Sequence, residues 1–107
     1  MSGGQVLGRL DEIEDGKGKR FGEGADGVIV IRRGDQVYAW TNICPHAGLP
    51  LSLPDGRALV HRDGHLICPV HGASFDVETG ACNGGPAAGD SLTAVAVEIV
   101  NGEIIAR

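Results

Sequence analysis

Two short segments hold the residues best suited to chemistry. Residues 44–49 read C-P-H-A-G-L, and residues 68–73 read C-P-V-H-G-A. Each pairs a thiol with an imidazole: Cys44 with His46 at spacing C-x-H, Cys68 with His71 at C-x-x-H. Thiolate and neutral imidazole are both transition-metal ligands, and a Cys activated by a His is also a nucleophile. In each segment a Pro follows the Cys and stiffens the chain, and a Gly closely follows the His, where it lets backbone close around a neighbour.

The residues alone leave four readings open. A structural zinc site uses Cys₂His₂ ligands, although zinc fingers usually keep the Cys pair and the His pair on separate halves. A Cys–His catalytic pair needs one of each, so a second matched segment would be redundant. The four could be ordinary loop residues, as a lone His usually is. A [2Fe–2S] cluster of mixed ligation puts two Cys on one iron and two His on the other. One Cys and one His in each loop is the arrangement such a cluster requires.

The elements that position these loops read as strands. Apolar residues recur with a period near two, and turn signals return every 8–12 residues, so the fold class is all-β. Val28 to Arg33 and Gln36 to Thr41 flank a two-residue turn at Gly34-Asp35, and Leu92 to Val100 and Glu103 to Ala106 flank Asn101-Gly102. Ala58 to Cys68 forms an inner hairpin around Asp63-Gly64. Residues 5–13 make a first strand, residues 15–27 make a charged, Gly-rich loop, and Gly spacing breaks every candidate helix. Both Cys/His segments then follow a strand, where a rigid sheet commonly presents functional loops.

At 107 residues the chain makes a single domain, 1–107, with one modest core. Gly is abundant, at 18 residues, and no short repeat accounts for it. Net charge is −5 with no basic stripe, which argues against nucleic acid and allows steering toward a basic protein partner. The N-terminal residues lack a signal-peptide pattern, and no apolar run reaches the ~20 residues of a membrane span. A cytoplasmic protein free of membranes is expected. Its three Cys, an odd number, then point to metal or catalysis rather than disulfides.

C-x-H followed by C-x-x-H-G resembles the Rieske [2Fe–2S] family. The similarity runs on through Ala73-Ser74-Phe75-Asp76-Val77-Glu78-Thr79-Gly80 and into Gly84-Gly85-Pro86-Ala87. The resemblance implies a small antiparallel β-sandwich with an inserted cluster-binding subdomain at about 42–88. It implies one [2Fe–2S] cluster per chain, with Cys44 and Cys68 on the buried iron, His46 and His71 on the outer iron, and Gly85-Pro86 in a third covering loop. Two departures from the family pattern stand out. Twenty-one residues separate His46 from Cys68, with the excess placed in the loop 51–57. Where respiratory members carry two further Cys and a Ser and a Tyr hydroxyl, the matching positions here are Gly48, Val70, Ala73 and Phe75. Fewer hydrogen bonds to the cluster imply a low potential, nearer about −150 mV than +300 mV. Exposed His ligation further implies a midpoint that falls with pH in the alkaline range.

A Rieske cluster moves one electron at a time, and no G-x-G-x-x-G follows a strand to open a helix, so no nucleotide site accompanies it. The resemblance therefore implies a ferredoxin rather than an enzyme. It would take electrons from a flavin-dependent reductase and deliver them to a terminal oxygenase or similar oxidoreductase. The alternatives are a small Rieske-like subunit of a larger oxidoreductase, such as a nitrite reductase, and a zinc-binding module. Leu49, Leu51 and Pro86 are expected to form an apolar contact patch. His61, Asp63 and His65 mimic a two-His-one-carboxylate iron triad but sit beside a hairpin turn, where solvated side chains are the simpler reading. Cys82 and Trp40 read as packing residues.

Overall fold

The computed structural model describes residues 5–22, 27–43, 50–61, 64–69, 72–84 and 91–106. Ten strands run in order: β1 (Gln5–Arg9), β2 (Gly18–Phe21), β3 (Val28–Arg33), β4 (Gln36–Thr41), β5 (Arg57–His61), β6 (His65–Ile67), β7 (Ser74–Asp76), β8 (Cys82–Gly84), β9 (Val97–Val100) and β10 (Glu103–Ala106). A single 3₁₀ turn, Leu10–Glu12, is the one helical element among the described residues. The all-β expectation holds. Every strand pairing is antiparallel, in a three-stranded sheet β1-β10-β9 and a seven-stranded sheet β4-β3-β2-β5-β6-β7-β8.

The near-continuous apolar run of β3 has a physical reason. Its side chains alternate between two cores, as in a strand covered on both faces. Val30, with Ala39 of β4 and Phe21 of β2, packs toward Ile104 and Ile99 of the small sheet. Ile29 and Ile31, with Trp40, pack the other way, against Leu66, Phe75 and Val77 of the inner hairpins. The strands β2–β4 thus form a middle layer. The long sheet changes partner within β5: Arg57 and Ala58 pair with β2, and Leu59 to His61 pair with β6. Gly18 permits the close pairing there, because a Cβ would lie 3.1 Å from Ala58 Cβ and 3.1 Å from Ile31 Cγ1.

Three sequence expectations need correction. The strand expected over residues 5–13 ends at Arg9, where the 3₁₀ turn begins. Residues 15–27 are not wholly loop, since β2 lies within them. Only Gly18 and Phe21 of β2 are buried, and the Lys-Arg pair between them hides the alternation. The segment 92–100 is a strand only from Val97. Its first half runs along β4, with bonds Thr41 N–H to Thr93 O (2.9 Å) and Val95 N–H to Ala39 O (2.9 Å). β7 and β8, three residues each, are too short to show a period. The turns fare better: Asn101 (φ 51°) and Gly102 (φ 81°) are both left-handed, as a type I′ hairpin needs.

Candidate metal centre

Three chain segments leave the sheet at one end, and the first two are closed at their bases. The first follows β4. Asn42, fully buried, accepts backbone hydrogen bonds at Oδ1 from Leu51 (2.8 Å) and Ser52 (3.0 Å). One side chain therefore ties the residues before Cys44 to those after Leu49. The second segment follows β6, where Cys68 N–H donates to Ala73 O (2.8 Å) and Gly72 N–H donates to Cys68 O (2.9 Å). Gly72 takes φ 74°, a left-handed conformation that favours Gly at the close of this turn. The third follows β8. Ser74 pairs with Gly84, so the segment starts beside the second one, while Ala81 bridges Ser91 and Leu92 N–H donates to Gly80 O (2.8 Å), so the chain returns against the β7–β8 turn at the other end of that hairpin.

Register shows that the first two bases are neighbours. Ser52 bridges Ala58, the residue before Leu59, which pairs with Ile67 beside Cys68. Pro50, after the first segment, and Pro69, within the second, line one groove of about 340 Å³ together with Arg20, Leu53 and Pro54. Arg20 Nη1 donates to Ser52 Oγ (3.1 Å), and Asn42 Nδ2 donates to the same oxygen (3.2 Å). The segment 51–57 is thus built in, not slack: Leu53 N–H donates to Arg57 O (2.8 Å), and Asp55 bonds both the Arg57 N–H and its guanidinium.

Of the four sequence-predicted ligands, the description reaches Cys68; Cys44, His46 and His71 lie outside the described residues. Cys68 is a free thiol, 1% exposed, in a core with Leu51, Ala73 and Phe75. A buried soft donor with no disulfide, at the base of the second segment, fits a thiolate ligand to the inner iron of a cluster. Ala73 and Phe75 are themselves fully buried there, so the two positions without hydroxyls do face the site's core. Gly48, Val70 and Gly85-Pro86 fall outside the described residues.

Other expectations resolve as follows. Leu51 joins no surface patch, because it is fully buried beneath the first segment. Leu49 and Pro86 lie outside the described residues. The exposed apolar residues near this end are Ile43 (37%), next to Cys44, and Leu59 (38%), paired with Ile67. His61 pairs directly with His65 across β5–β6, while Asp63 is outside the description. Among the described residues no group of three His, Cys, Asp or Glu can hold a metal ion. Cys82 packs against the inner core, and Trp40 is buried with its Nε1 donating to Val77 O (3.2 Å), so both are packing residues. Sequence reasoning missed Asn42, Ser52 and Arg20. The one available signal was a polar Asn between strand and ligand loop, a residue type that habitually bonds nearby backbone N–H groups.

Comparison with known proteins agrees with this geometry. The family model "Rieske [2Fe-2S] domain" matches residues 4–100. The chain is 34% identical over 81 residues to the cytochrome b6-f complex iron-sulfur subunit of Chlorobaculum thiosulfatiphilum, covering 76% of this chain and 41% of that one. It is 29% identical over 98 residues to the anthranilate 1,2-dioxygenase ferredoxin subunit of Burkholderia cepacia, covering 92% and 85%. The chain thus spans about two fifths of the first relative and most of the second. Among solved structures, the ferredoxin of carbazole 1,9a-dioxygenase from Nocardioides aromaticivorans superposes with a TM-score of 0.82 at 32% identity, over 98% of this chain and 97% of that one. A complex of reduced oxygenase and oxidised ferredoxin in carbazole 1,9a-dioxygenase matches with a TM-score of 0.80 at 28% identity, over 96% and 91%. These matches remove the zinc-module reading. The chain belongs to the Rieske [2Fe–2S] domain family, as an electron-transfer component that binds a [2Fe–2S] cluster rather than a catalytic subunit.

Proposed function

We propose that this protein carries single electrons from a flavin-dependent reductase to a terminal oxygenase, through a low-potential cluster. Cys44 and Cys68 would hold the inner iron, and His46 and His71 the outer one. The observation that carries this reading is the buried Cys68 thiol, set in a core with Leu51, Ala73 and Phe75 between two loops closed by backbone and Asn42 hydrogen bonds. The cluster-binding part would span about 42–88 of the single domain 1–107, on β5–β8 and the loops they carry. When bound, the cluster supplies a one-electron couple. The chain's own part is to bury Cys68 in apolar core and withhold hydroxyl donors at Ala73 and Phe75.

The resemblance to a ferredoxin solved with its oxygenase supports the acceptor class. Ile43 and Leu59 offer apolar contact beside the tip, and the net charge of −5 favours a basic docking face on the partner. Cys68 and Cys82, neither in a disulfide, suit a reducing compartment, in keeping with a cytoplasmic place. No helix of the described residues is long and apolar enough to cross a membrane.

The test is iron and acid-labile sulfide analysis joined to a reductive titration. Two irons, two sulfides and one electron per chain are expected, with colour lost in Cys68→Ser. A colourless protein holding one zinc would overturn the assignment. Obligate retention on a large partner through purification would favour the oxidoreductase-subunit reading instead.

A further inference from the structure

We infer that Asn42 is a positioning residue for the cluster, the clamp that fixes the first ligand loop in the geometry its Cys and His need. The inference rests on the Rieske reading of Cys44 and His46 and goes beyond it. Asn42 is fully buried, which is unusual for an amide side chain, and its backbone N–H, Oδ1 and Nδ2 are all hydrogen-bonded. Its backbone N–H donates to Gly27 O (3.1 Å), fixing it to the middle layer. Its Oδ1 accepts from both Leu51 N–H (2.8 Å) and Ser52 N–H (3.0 Å). Its Nδ2 donates to Ser52 Oγ (3.2 Å), which also accepts from Arg20 Nη1 (3.1 Å).

The consequence is geometric. The segment 43–50 leaves the sheet at Asn42 and returns at Leu51, so a single carbonyl oxygen closes the loop that carries Cys44 and His46. No disulfide can brace this loop, because Gly48 and Val70 stand at the paired positions. The amide network supplies the brace in its place. A ligand loop must hold its donors to a few tenths of an ångström to bind a cluster well, and such precision comes from supporting hydrogen bonds. Removing Asn42 strands two buried backbone N–H donors, whose desolvation is then uncompensated.

The experiment uses the loaded protein and three variants: Asn42→Ala, Asn42→Asp and Ser52→Ala. Cluster lifetime is read as bleaching of visible absorbance under a chelator, the midpoint by potentiometric titration, and ligand geometry by EPR of the reduced state. Asn42→Ala should bleach at least about tenfold faster, the factor that one hydrogen bond of ordinary net strength is worth, and should broaden the EPR signal. Ser52→Ala removes one acceptor but leaves both Oδ1 bonds, so its bleaching should fall between wild type and Asn42→Ala. Asn42→Asp keeps an oxygen that accepts both N–H groups, so it should hold its cluster nearly as long as wild type. Its buried negative charge should lower the midpoint, since reduction itself adds negative charge. A merely structural Asn would leave the spectrum and midpoint of loaded Asn42→Ala and Ser52→Ala unchanged. Wild-type lifetime, midpoint and EPR in Asn42→Ala would overturn the inference alone. So would an Asn42→Asp that bleaches as fast as Asn42→Ala, even if the alanine variant folds poorly. A wild type that assembles no iron–sulfur cluster would overturn the underlying reading and this inference with it.

Discussion

Gly80→Ala is a demanding test of how the inner core is built. Gly80 closes the turn after β7: its N–H donates to Asp76 O (2.7 Å), and its carbonyl accepts from Leu92 N–H (2.8 Å). Its φ is 77°, and a Cβ there would sit 2.6 Å from Trp40 Cζ3 and 2.8 Å from Cη2. Carbon atoms prefer about 3.5–4.0 Å, so the ring would have to retreat by about 1 Å. It has nowhere to go, being buried and anchored through Nε1 to Val77 O. A left-handed residue with a Cβ costs about 1–2 kcal/mol, and overpacking costs about 1–3 kcal/mol. Lost freedom in the unfolded chain returns about 0.4–1 kcal/mol. The net cost is about 1–4 kcal/mol, a large part of the 5–15 kcal/mol that holds a typical domain. Trp40 is the only Trp, so its fluorescence reports the transition directly. With a urea slope of about 1.5 kcal/mol per molar, the midpoint should fall by about 0.7–2.7 M, measured after a fixed incubation because cluster loss makes unfolding irreversible. Adding Trp40→Phe should recover the steric share and leave the φ share, read by circular dichroism. A Gly80→Ala midpoint within about 0.2 M of wild type would refute both the clash and the packing account.

Three further outcomes follow from the same geometry. Ala73→Ser places a hydroxyl in the turn tied to Cys68, and potentiometric titration should show a raised midpoint; a lowered one would contradict the hydrogen-bond account of low potential. Glu12 has its carboxyl pKa held below its ordinary value near 4.5 by the Arg9 backbone N–H (2.8 Å) and then by Lys19 (3.1 Å). Because the folded value is the lower one, this stabilisation is present above about pH 4.5 and is lost as pH falls through the folded value. Thermal midpoints from pH 6 down to pH 3 should therefore decline less steeply in Glu12→Gln than in wild type. Glu78→Gln breaks the exposed Arg33–Glu78 ion pair (2.8 Å) and should change the unfolding free energy by less than about 1 kcal/mol, an effect that salt erases.

What could be read from the sequence follows from how locally each feature is encoded. The hairpins at Gly34-Asp35 and Asn101-Gly102 were legible because each turn is specified by two adjacent residues, of which Gly34, Asn101 and Gly102 take positive φ. The family was legible because its motif sets Cys and His residues at fixed short spacings in the sequence. β2 was not, since Lys19 and Arg20 lie between its two buried residues and only pairing with β3 and β5 makes it a strand. Leu51 misled for the same reason. An apolar residue next to a functional loop reads as contact surface, yet the Asn42 amide draws its backbone inward and buries the side chain.

That last case shows where the site's precision resides. The ligands are a local pattern, but the frame that aims them is assembled from parts distant in sequence: Gly27 under Asn42, Asn42 under Leu51 and Ser52, and Arg20 against Ser52. None of these carries the motif's chemistry, and none shows periodicity, because a hydrogen-bond clamp needs only one acceptor at one place. Gly18 and Gly80 act in the same non-local way, each admitting a neighbour that any Cβ would push off by several tenths of an ångström or more. A chain with the same Cys and His residues but without Asn42, Gly18 and Gly80 would still match the ligand spacing. It would hold its cluster more weakly and on a less stable core, which separates the presence of a Rieske motif from the capacity to keep one loaded.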